Sequence, residues 1–597
     1  MPLDNTMTDE YDILIKDARV VDGTGAASYK ASIGIHGDRI AALGDVKGDA
    51  VKEVDASGLV ATPGFIDSHS HSDINILFYP NCDSHVHQGI TTFFGGQCGI
   101  SFAPLGDYVP IMTGEIMELA QELEPYMYSP KSLAYPLDDV NALMKERYGW
   151  EINWRTTAEY FAAVKEKGLS INYAPLVGHS TCRIAVLGRD YKRESRPDEE
   201  EAIGELVRQA LDDGCVGLST GMDYPADVYA TRAEINAHVS ILRDYPSTVY
   251  SPHWRRTGRR EGGSPGIAWN RIGGIVDELE TAKKTGVPLV VAHLCGGWDT
   301  APAPPPALVQ EAIGKATLDV IDQYIAEGVE ASFDVIMYWW FTSQYMADLL
   351  PPYIRLLGSR EALAKALKMH DFRTEIKQAL KDGRFYLPLV ARSQQRNYSQ
   401  EIRVTEHRNT NYNDKTLKEI AAETGQDTLD TLFNLIAEDP DALCSTRDYR
   451  LTEDYIKLFY KHPRGMVGID SSMVDLNHES KSPPWSKPLY RAFSAYPSFL
   501  NRYVKEQRLF TIEEAIRKCT SLPAKTHYIH DRGIIKEGNY ADILLLDWEN
   551  LMFLSTPKET RRYPEGIEYV IVNGETVIEK SKHTGVRSGK ILSRDTK

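Results

Sequence analysis

Both ends of the chain alternate apolar and polar residues with a period of two. Asp12-Ile13-Leu14-Ile15 and Arg19-Val20-Val21 are followed by apolar segments at 31–35 and 39–43, with Gly and Asp between them. Residues 11–61 therefore read as short antiparallel strands. The C-terminal part repeats the style at 543–547 and 569–578, where Asn573-Gly574 marks a tight hairpin. Between these ends, short apolar runs alternate with helical patterns at 199–213, 274–285 and 513–520, the rhythm of successive βα units. Residues 345–455 break that rhythm. The stretch is polar, rich in helical pattern and longer than a βα loop, which predicts an inserted subdomain over one face.

Several of the apolar runs end on a residue that can bind a metal. Gly64-Phe65-Ile66-Asp67-Ser68 leads to His69 and His71, two residues apart, so that both side chains can point the same way from the end of a strand. Ile90-Thr91-Thr92-Phe93-Phe94 leads through two glycines to Cys98, and the runs before 253, 293 and 470 lead to His253, His293 and Asp470. In a barrel of βα units the carboxyl ends of all strands share one face, so these residues would converge there. Singly, each has a plainer reading: solvent-facing histidines, a core thiol, a core histidine, or a turn aspartate before Ser471-Ser472. Together they predict a metal site of imidazole, thiol and carboxylate ligands.

Composition narrows the setting. A chain of 597 residues with 42% hydrophobic content buries a large core and exceeds one ordinary domain. Its charge, 67 basic against 84 acidic residues or −17, argues against a nucleic-acid or anionic-membrane surface and leaves a small-molecule substrate as the expected partner. A homo-oligomer is compatible with the same composition. The seven cysteines are scattered without a C-x-x-C pair, so reduced thiols are expected. The opening residues lack a leader pattern and no apolar run reaches the roughly 18 residues of a membrane span, so a cytoplasmic location is expected.

The motifs themselves resemble the amidohydrolase superfamily, and within it the N-acyl-D-amino-acid deacylase (D-aminoacylase) family. The segments that carry the likeness are Gly64 to His71, Gly89-Ile90-Thr91-Thr92, Gly96-Gln97-Cys98-Gly99-Ile100, Val177-Gly178-His179-Ser180-Thr181, Gly217-Leu218-Ser219-Thr220-Gly221 and Ala541-Asp542-Ile543. The likeness runs from about residue 10 to 590 and is weakest at 105–150 and 345–455. It implies an α/β fold: a (β/α)8 TIM-like metallohydrolase barrel at 63–534 with an insertion at about 345–455, and a small β-sandwich built from 1–62 and 535–597. It also implies that Cys98, His253 and His293 hold one zinc ion tightly, that His69 and His71 form a weaker second site sharing Cys98, and that Asp470 serves as general base and then general acid. The implied activity is hydrolysis of a C–N amide bond in an N-acyl amino acid or related amide. Cyclic-amide hydrolysis, a lyase on the same metal, and a metal-free assembly protein are the alternatives.

Arg491, His179 and Tyr224 are the residues assigned to the substrate. Arg491 can clamp a carboxylate or lie on the surface, and His179 can touch substrate, orient a neighbour or be structural. The chain departs from the family where a lysine is expected, at Cys295, and where a tyrosine is expected, at Ile336. Arginines 255, 256, 259 and 260 follow His253, and Met337-Tyr338-Trp339-Trp340-Phe341 could form an apolar pocket wall or core.

Overall fold

The computed structural model describes residues 11–111, 114–123, 133–255, 271–294, 307–337, 340–350, 357–381, 398–447, 453–478, 487–556 and 559–594. The first alternating segments join into one strand, Tyr11–Val20, interrupted by a bulge between Ile15 and Ala18 with Asp17 at φ 59°. One edge pairs antiparallel with Tyr29–His36, which pairs with Arg39–Gly44. The other edge corrects the wholly antiparallel expectation. The turn after Gly44 carries the chain back across, so Ala50–Asp55 and then Val60–Pro63 lie parallel to Tyr11–Val20. Val60–Pro63 also pairs with Ile543–Leu546, and Ile567–Val572, Glu575–Glu579 and Lys582–His583 complete one nine-stranded sheet drawn from both ends of the chain. Its hairpin turns at Asn573 and Gly574, φ 50° and 82°, as a two-residue turn with both central residues left-handed requires.

The centre of the chain is a mixed α/β body on parallel strands. Phe65–Asp67, Ile90–Gly95 and Asn172–Pro175 form one sheet, and Val177–Gly178, Gly217–Gly221, Val249–His253, Leu289–Val291, Ala331–Ile336 and Gly465–Gly468 form another. Apart from half-buried Ile336, every residue of these strands is buried. Covered on both faces, such strands must be apolar nearly throughout, which is why they read as runs rather than alternation. Helices Pro197–Asp212, Arg232–Ile241, Arg271–Thr285 and Ala307–Ala326 lie between successive strands.

A buried polar lock joins the end-built sheet to this body. Asp542 accepts hydrogen bonds from Arg532, from the Asn573 backbone at 2.8 Å and from Asn172 Nδ2 at 3.2 Å, while Asn573 Nδ2 donates to Asn172 Oδ1 at 2.8 Å. Asn172 is the first residue of its strand, and the next residue, Tyr173, exchanges backbone bonds with Lys590 and Leu592 of the C-terminal segment.

Residues 340–447 contain a separate core. Trp340–Tyr345, Ile402–Glu406 and Leu443–Arg447 form a small antiparallel sheet, and Met346, Leu363, Ile376, Leu432 and Phe433 pack beside it. The polar pattern of this region announces its helices but hides the sheet. The following helix, Glu453–Lys461, returns to the central body, where Gly314 leaves room for the Tyr455 ring. Among the described residues, six cysteines are buried, and no helix is long and apolar enough to cross a membrane.

A carboxyl is also buried beside the strand that ends at His253. Glu278 on the helix Arg271–Thr285 accepts from the Tyr250 hydroxyl at 2.7 Å, and burial lifts its pKa to about 7 against the pull of that hydrogen bond. A carboxyl raised in the folded state costs no stability below its ordinary pKa and costs progressively more as pH climbs toward 7. Glu278→Gln should therefore leave stability unchanged near pH 4 and raise it by about 1–3 kcal/mol near pH 8. Denaturant unfolding of both proteins at the two pH values checks this, and equal stability at pH 8 would contradict the buried-acid account.

Candidate metal centre

The chain beyond the strand Ile90–Gly95 is folded back on itself by three departures to positive φ within four residues: Gly96 at 77°, Cys98 at 55° and Gly99 at 79°. Both glycines are required by space as well as by φ. A Cβ at Gly96 would lie 2.0 Å from the Leu176 carbonyl oxygen, and one at Gly99 2.6 Å from Gly221 N. Ser219 fastens the turn, accepting from Gly99 N at 3.0 Å and donating to the Gly96 carbonyl. Cys98 is thereby presented, buried, with its sulfur inward.

Three imidazoles meet that sulfur. His69 Nε2 lies 3.5 Å from it, His253 Nδ1 3.5 Å and His293 Nε2 3.4 Å, with the two latter nitrogens 2.9 Å apart. His71 and Asp470 complete the cluster. Asp470 Oδ1 is 3.3 Å from His71 Nε2 and 3.6 Å from His69 Nε2. The ligand atoms of His69, His71 and Cys98, of Cys98, His253 and His293, and of His69, His293 and Asp470 each lie within 4.8 Å of one another. His69 and His71 stand just past the end of Phe65–Asp67 rather than within it.

The electrostatics are those of an anion set among cations. Burial alone would raise the Cys98 thiol, yet the imidazoles of His69, His293 and His253 bring it well below its usual range. Burial would likewise raise Asp470, but the His71 hydrogen bond and the charges of His293, Arg491 and His69 hold it well below the usual carboxylate range. His71 is driven up to about 9 despite burial, by hydrogen bonds to Asp470 and Cys98.

Two of the histidines, His69 and His253, are oriented from behind by carboxylates that the motif reading missed. Asp334 Oδ2 faces His69 Nδ1 at 3.4 Å while its Oδ1 accepts from the His293 backbone at 2.8 Å. Asp223 Oδ2 lies 3.5 Å from His253 Nε2. Asp67 Oδ1 accepts from His69 N at 3.2 Å and Ile469 N at 3.0 Å, tying the first strand of the group to the last. An acid inside an otherwise apolar run was the available signal for Asp67 and Asp334. Nothing in the sequence distinguishes Asp223.

The residues assigned to the substrate divide. Tyr224 lies beside the cluster, its ring 4.2 Å from that of His253. Arg491 is buried, which removes the surface reading. Its Nε donates to the Asp470 carbonyl at 3.0 Å, its Nη2 donates to the same oxygen, and Nη2 lies 3.5 Å from Asp470 Oδ2. Asp470, at φ 51° and bonded through its N–H to the His69 carbonyl at 2.8 Å, is not a helix cap. His179 is not brought to the cluster: it opens the helix His179–Leu187 behind the Cys98 turn, where it pairs with Asp227 and His238. Cys295, Arg256, Arg259, Arg260, Tyr338 and Trp339 lie outside the described residues.

Known proteins share this arrangement of chain. Residues 483–578 match the model of the amidohydrolase family. An N-acyl-D-glutamate deacylase of Alcaligenes xylosoxydans xylosoxydans is 26% identical, over 99% of this chain and 98% of that protein. The solved structure of a D-aminoacylase, studied for the role of its binuclear metal centre, superposes with a TM-score of 0.69 at 25% identity, covering 98% of this chain and all, 100%, of that one. An N-acyl-D-glutamate deacylase from Bordetella bronchiseptica, solved with zinc and a phosphonate mimic of the tetrahedral intermediate, gives 0.66 at 25% identity with the same coverage, 98% and 100%. With a cysteine where two pairs of histidines converge, the chain is similar to the amidohydrolases in residues 483–578 and, along nearly its whole length, to the D-aminoacylases and N-acyl-D-glutamate deacylases.

Proposed function

We propose that this protein is a zinc-dependent amidohydrolase that cleaves the C–N bond of an N-acyl amino acid or related amide. The observation that carries the proposal is the meeting of Cys98, His253, His293, His69 and His71 beside one carboxylate, Asp470. The deacylase and D-aminoacylase relatives support the same class of bond. The proposed frame is a (β/α)8 barrel: with Asn172–Pro175 and Val177–Gly178 counted as one position, the nine parallel strands give eight positions in chain order, and Asp67 with the His69 carbonyl links the last to the first. The end-built sheet is the proposed sandwich domain, with boundaries near 62 and 535.

The donor set fits zinc. One thiol drawn toward thiolate and four imidazoles, buried and with His253 and His293 facing each other nitrogen to nitrogen, suit a borderline-soft cation better than a hard one. Cys98, His253 and His293 would hold the tight ion, and His69 and His71 with Cys98 a weaker one. When bound, zinc supplies a Lewis acid that makes water ionisable near neutral pH, at about 7.

The chain's own residues supply the rest. Asp470, kept ionised, takes the proton of the attacking water and returns it to the leaving nitrogen. Arg491 fixes the Asp470 backbone in its left-handed conformation and so aims that carboxylate, while keeping part of its guanidinium for an anionic substrate. Tyr224 borders the reacting position beside His253. Asp334 and Asp223 keep the ring nitrogens of His69 and His253 turned inward.

Elemental analysis should find zinc in the protein purified without chelator and much less in Cys98→Ala, which should stay folded because the ligand sits in a rigid turn. Equal metal in both would make Cys98 a core thiol only. Asp470→Asn should lower kcat by about 10²–10⁴ with metal content little changed. Near-normal turnover in that variant would reassign the proton transfer. Arg491→Lys, which keeps the charge but loses the two-point grip on the Asp470 carbonyl, should lower kcat by about tenfold as well as raising KM for acidic amides, and an effect on KM alone would leave Arg491 a substrate clamp only.

A further inference from the structure

Behind the Cys98 turn lies a second buried cluster whose hydrogen bonds fix its protons. His238 Nε2 is 2.9 Å from the Glu200 carbonyl oxygen, which can only accept, so that nitrogen carries a proton. His238 is neutral, since burial first and neighbouring His179 second drive its pKa down to about 3, and its Nδ1 is therefore an acceptor. His179 Nε2, 2.8 Å from that Nδ1, must then donate. The other ring nitrogen, His179 Nδ1, is 2.8 Å from Asp227 Oδ1, and Asp227 Oδ2 accepts from Gly221 N at 2.7 Å. With both oxygens of Asp227 accepting, His179 carries two protons.

The charge balance agrees. The groups around His179 are Asp227, Glu234 with Oε1 at 3.8 Å, neutral His238, and Arg183, whose guanidinium donates to Glu234. All are buried. Two carboxylates against one arginine leave one negative charge uncompensated, and an imidazolium at His179 cancels it. The three ligand atoms of His179, Glu234 and His238 are near enough for a metal, but each is already paired and Arg183 sits on the carboxylate, so a further cation there has no free ligand.

We propose that His179 donates from both ring nitrogens and that the His179–Asp227 pair is the positioning device for two ligands of the metal centre. The linkage is direct. Asp227 holds the N–H of Gly221, a residue paired in register with His253, and the next N–H, of Met222, donates to the His253 carbonyl at 2.9 Å. Gly221 also packs on the Cys98 turn so closely that a Cβ there would lie 2.3 Å from the Cys98 carbonyl oxygen, and Asp227 itself abuts Gly99. From the other side the helix opened by His179 grips the same turn, Thr181 N donating to the Gly99 carbonyl at 3.2 Å. Neither His179 nor Asp227 touches the metal position; they set where Cys98 and His253 stand. The positioning part rests on the metal-site reading above, and the protonation part does not.

The test is made on the full-length metalloprotein with nitrogen-15-labelled histidine, the His179 signals being identified by their loss in His179→Gln. Two ring N–H protons on His179 are expected, and a single ring N–H overturns the two-donor reading. Asp227→Asn, which still accepts from Gly221 but presents an amide to His179, should reduce His179 to one ring N–H and weaken zinc retention against a chromogenic chelator by about 10–100-fold. Wild-type retention in a folded Asp227→Asn protein overturns the positioning role. If that variant does not fold, the chelator measurement is made on His179→Gln, with the same weakening expected and wild-type retention again overturning it. Should Cys98→Ala also retain zinc normally, the ligand assignment fails while the ring N–H result still decides the state of His179.

Discussion

A thiol and four imidazoles are buried beside a carboxylate that stays partly open to solvent, and the surrounding structure answers to that burial. In a low-dielectric interior a buried polar atom without a partner costs about 1–3 kcal/mol, and an unbalanced charge costs more. Carboxylates stand behind two of the rings, Asp334 behind His69 and Asp223 behind His253, and Asp67 reaches from the first parallel strand to the backbone before Asp470. The charges that face these histidines also aim them. Solubility of the charges and geometry of the site are thus one requirement, met by the same carboxylates.

Backbone conformation bears a second share. Cys98, His293 and Asp470 all occupy positive φ, at 55°, 35° and 51°, where a side chain other than glycine's costs of order 1–2 kcal/mol. Each is over-determined by its neighbours. Ser219 and Thr181 grip the turn around Cys98, Asp334 holds the N–H of His293, and Asp470 is held through its N–H by His69 and through its carbonyl by Arg491. Placing these three residues two or three positions past the ends of their strands, at left-handed φ, points them inward over the sheet, which a continuing extended strand would not do for all of them.

This division explains what could be read from sequence. A strand buried on both faces must be apolar along its length, so a histidine, cysteine or aspartate at its end stands out, and Cys98, His253, His293 and Asp470 were visible for that reason. The braces were not, because Asp223 sits in the loop after its strand and its partner is 30 residues away in sequence, at His253. His179 misled for a related reason: it follows a short buried strand as the ligands do, but begins a helix, and the helix turns it away from the cluster toward Asp227. At the N-terminus the alternation was correct for strands but silent on direction, since period two is the same for parallel and antiparallel pairing. The sheet at 340–447 was hidden because its core is shared with helices whose polar faces dominate the composition.

The two ends of the chain finish the design by acting far from the chemistry along each strand. The Asp542, Arg532, Asn573 and Asn172 network meets the first residue of Asn172–Pro175, and the C-terminal segment runs beside the following residue, Tyr173, whereas every member of the cluster stands at or beyond the last residue of its strand. A rigid parallel strand separates the two. The attachment of the end-built sheet can therefore contribute stability at one end of the strands while the strained turns and braced rings at the other end are set locally, by side chains from the loops that follow them. That separation lets the loop after Gly217–Gly221 supply Asp223, Tyr224 and Asp227 within five residues, bracing His253, bordering the reacting position and linking to His179.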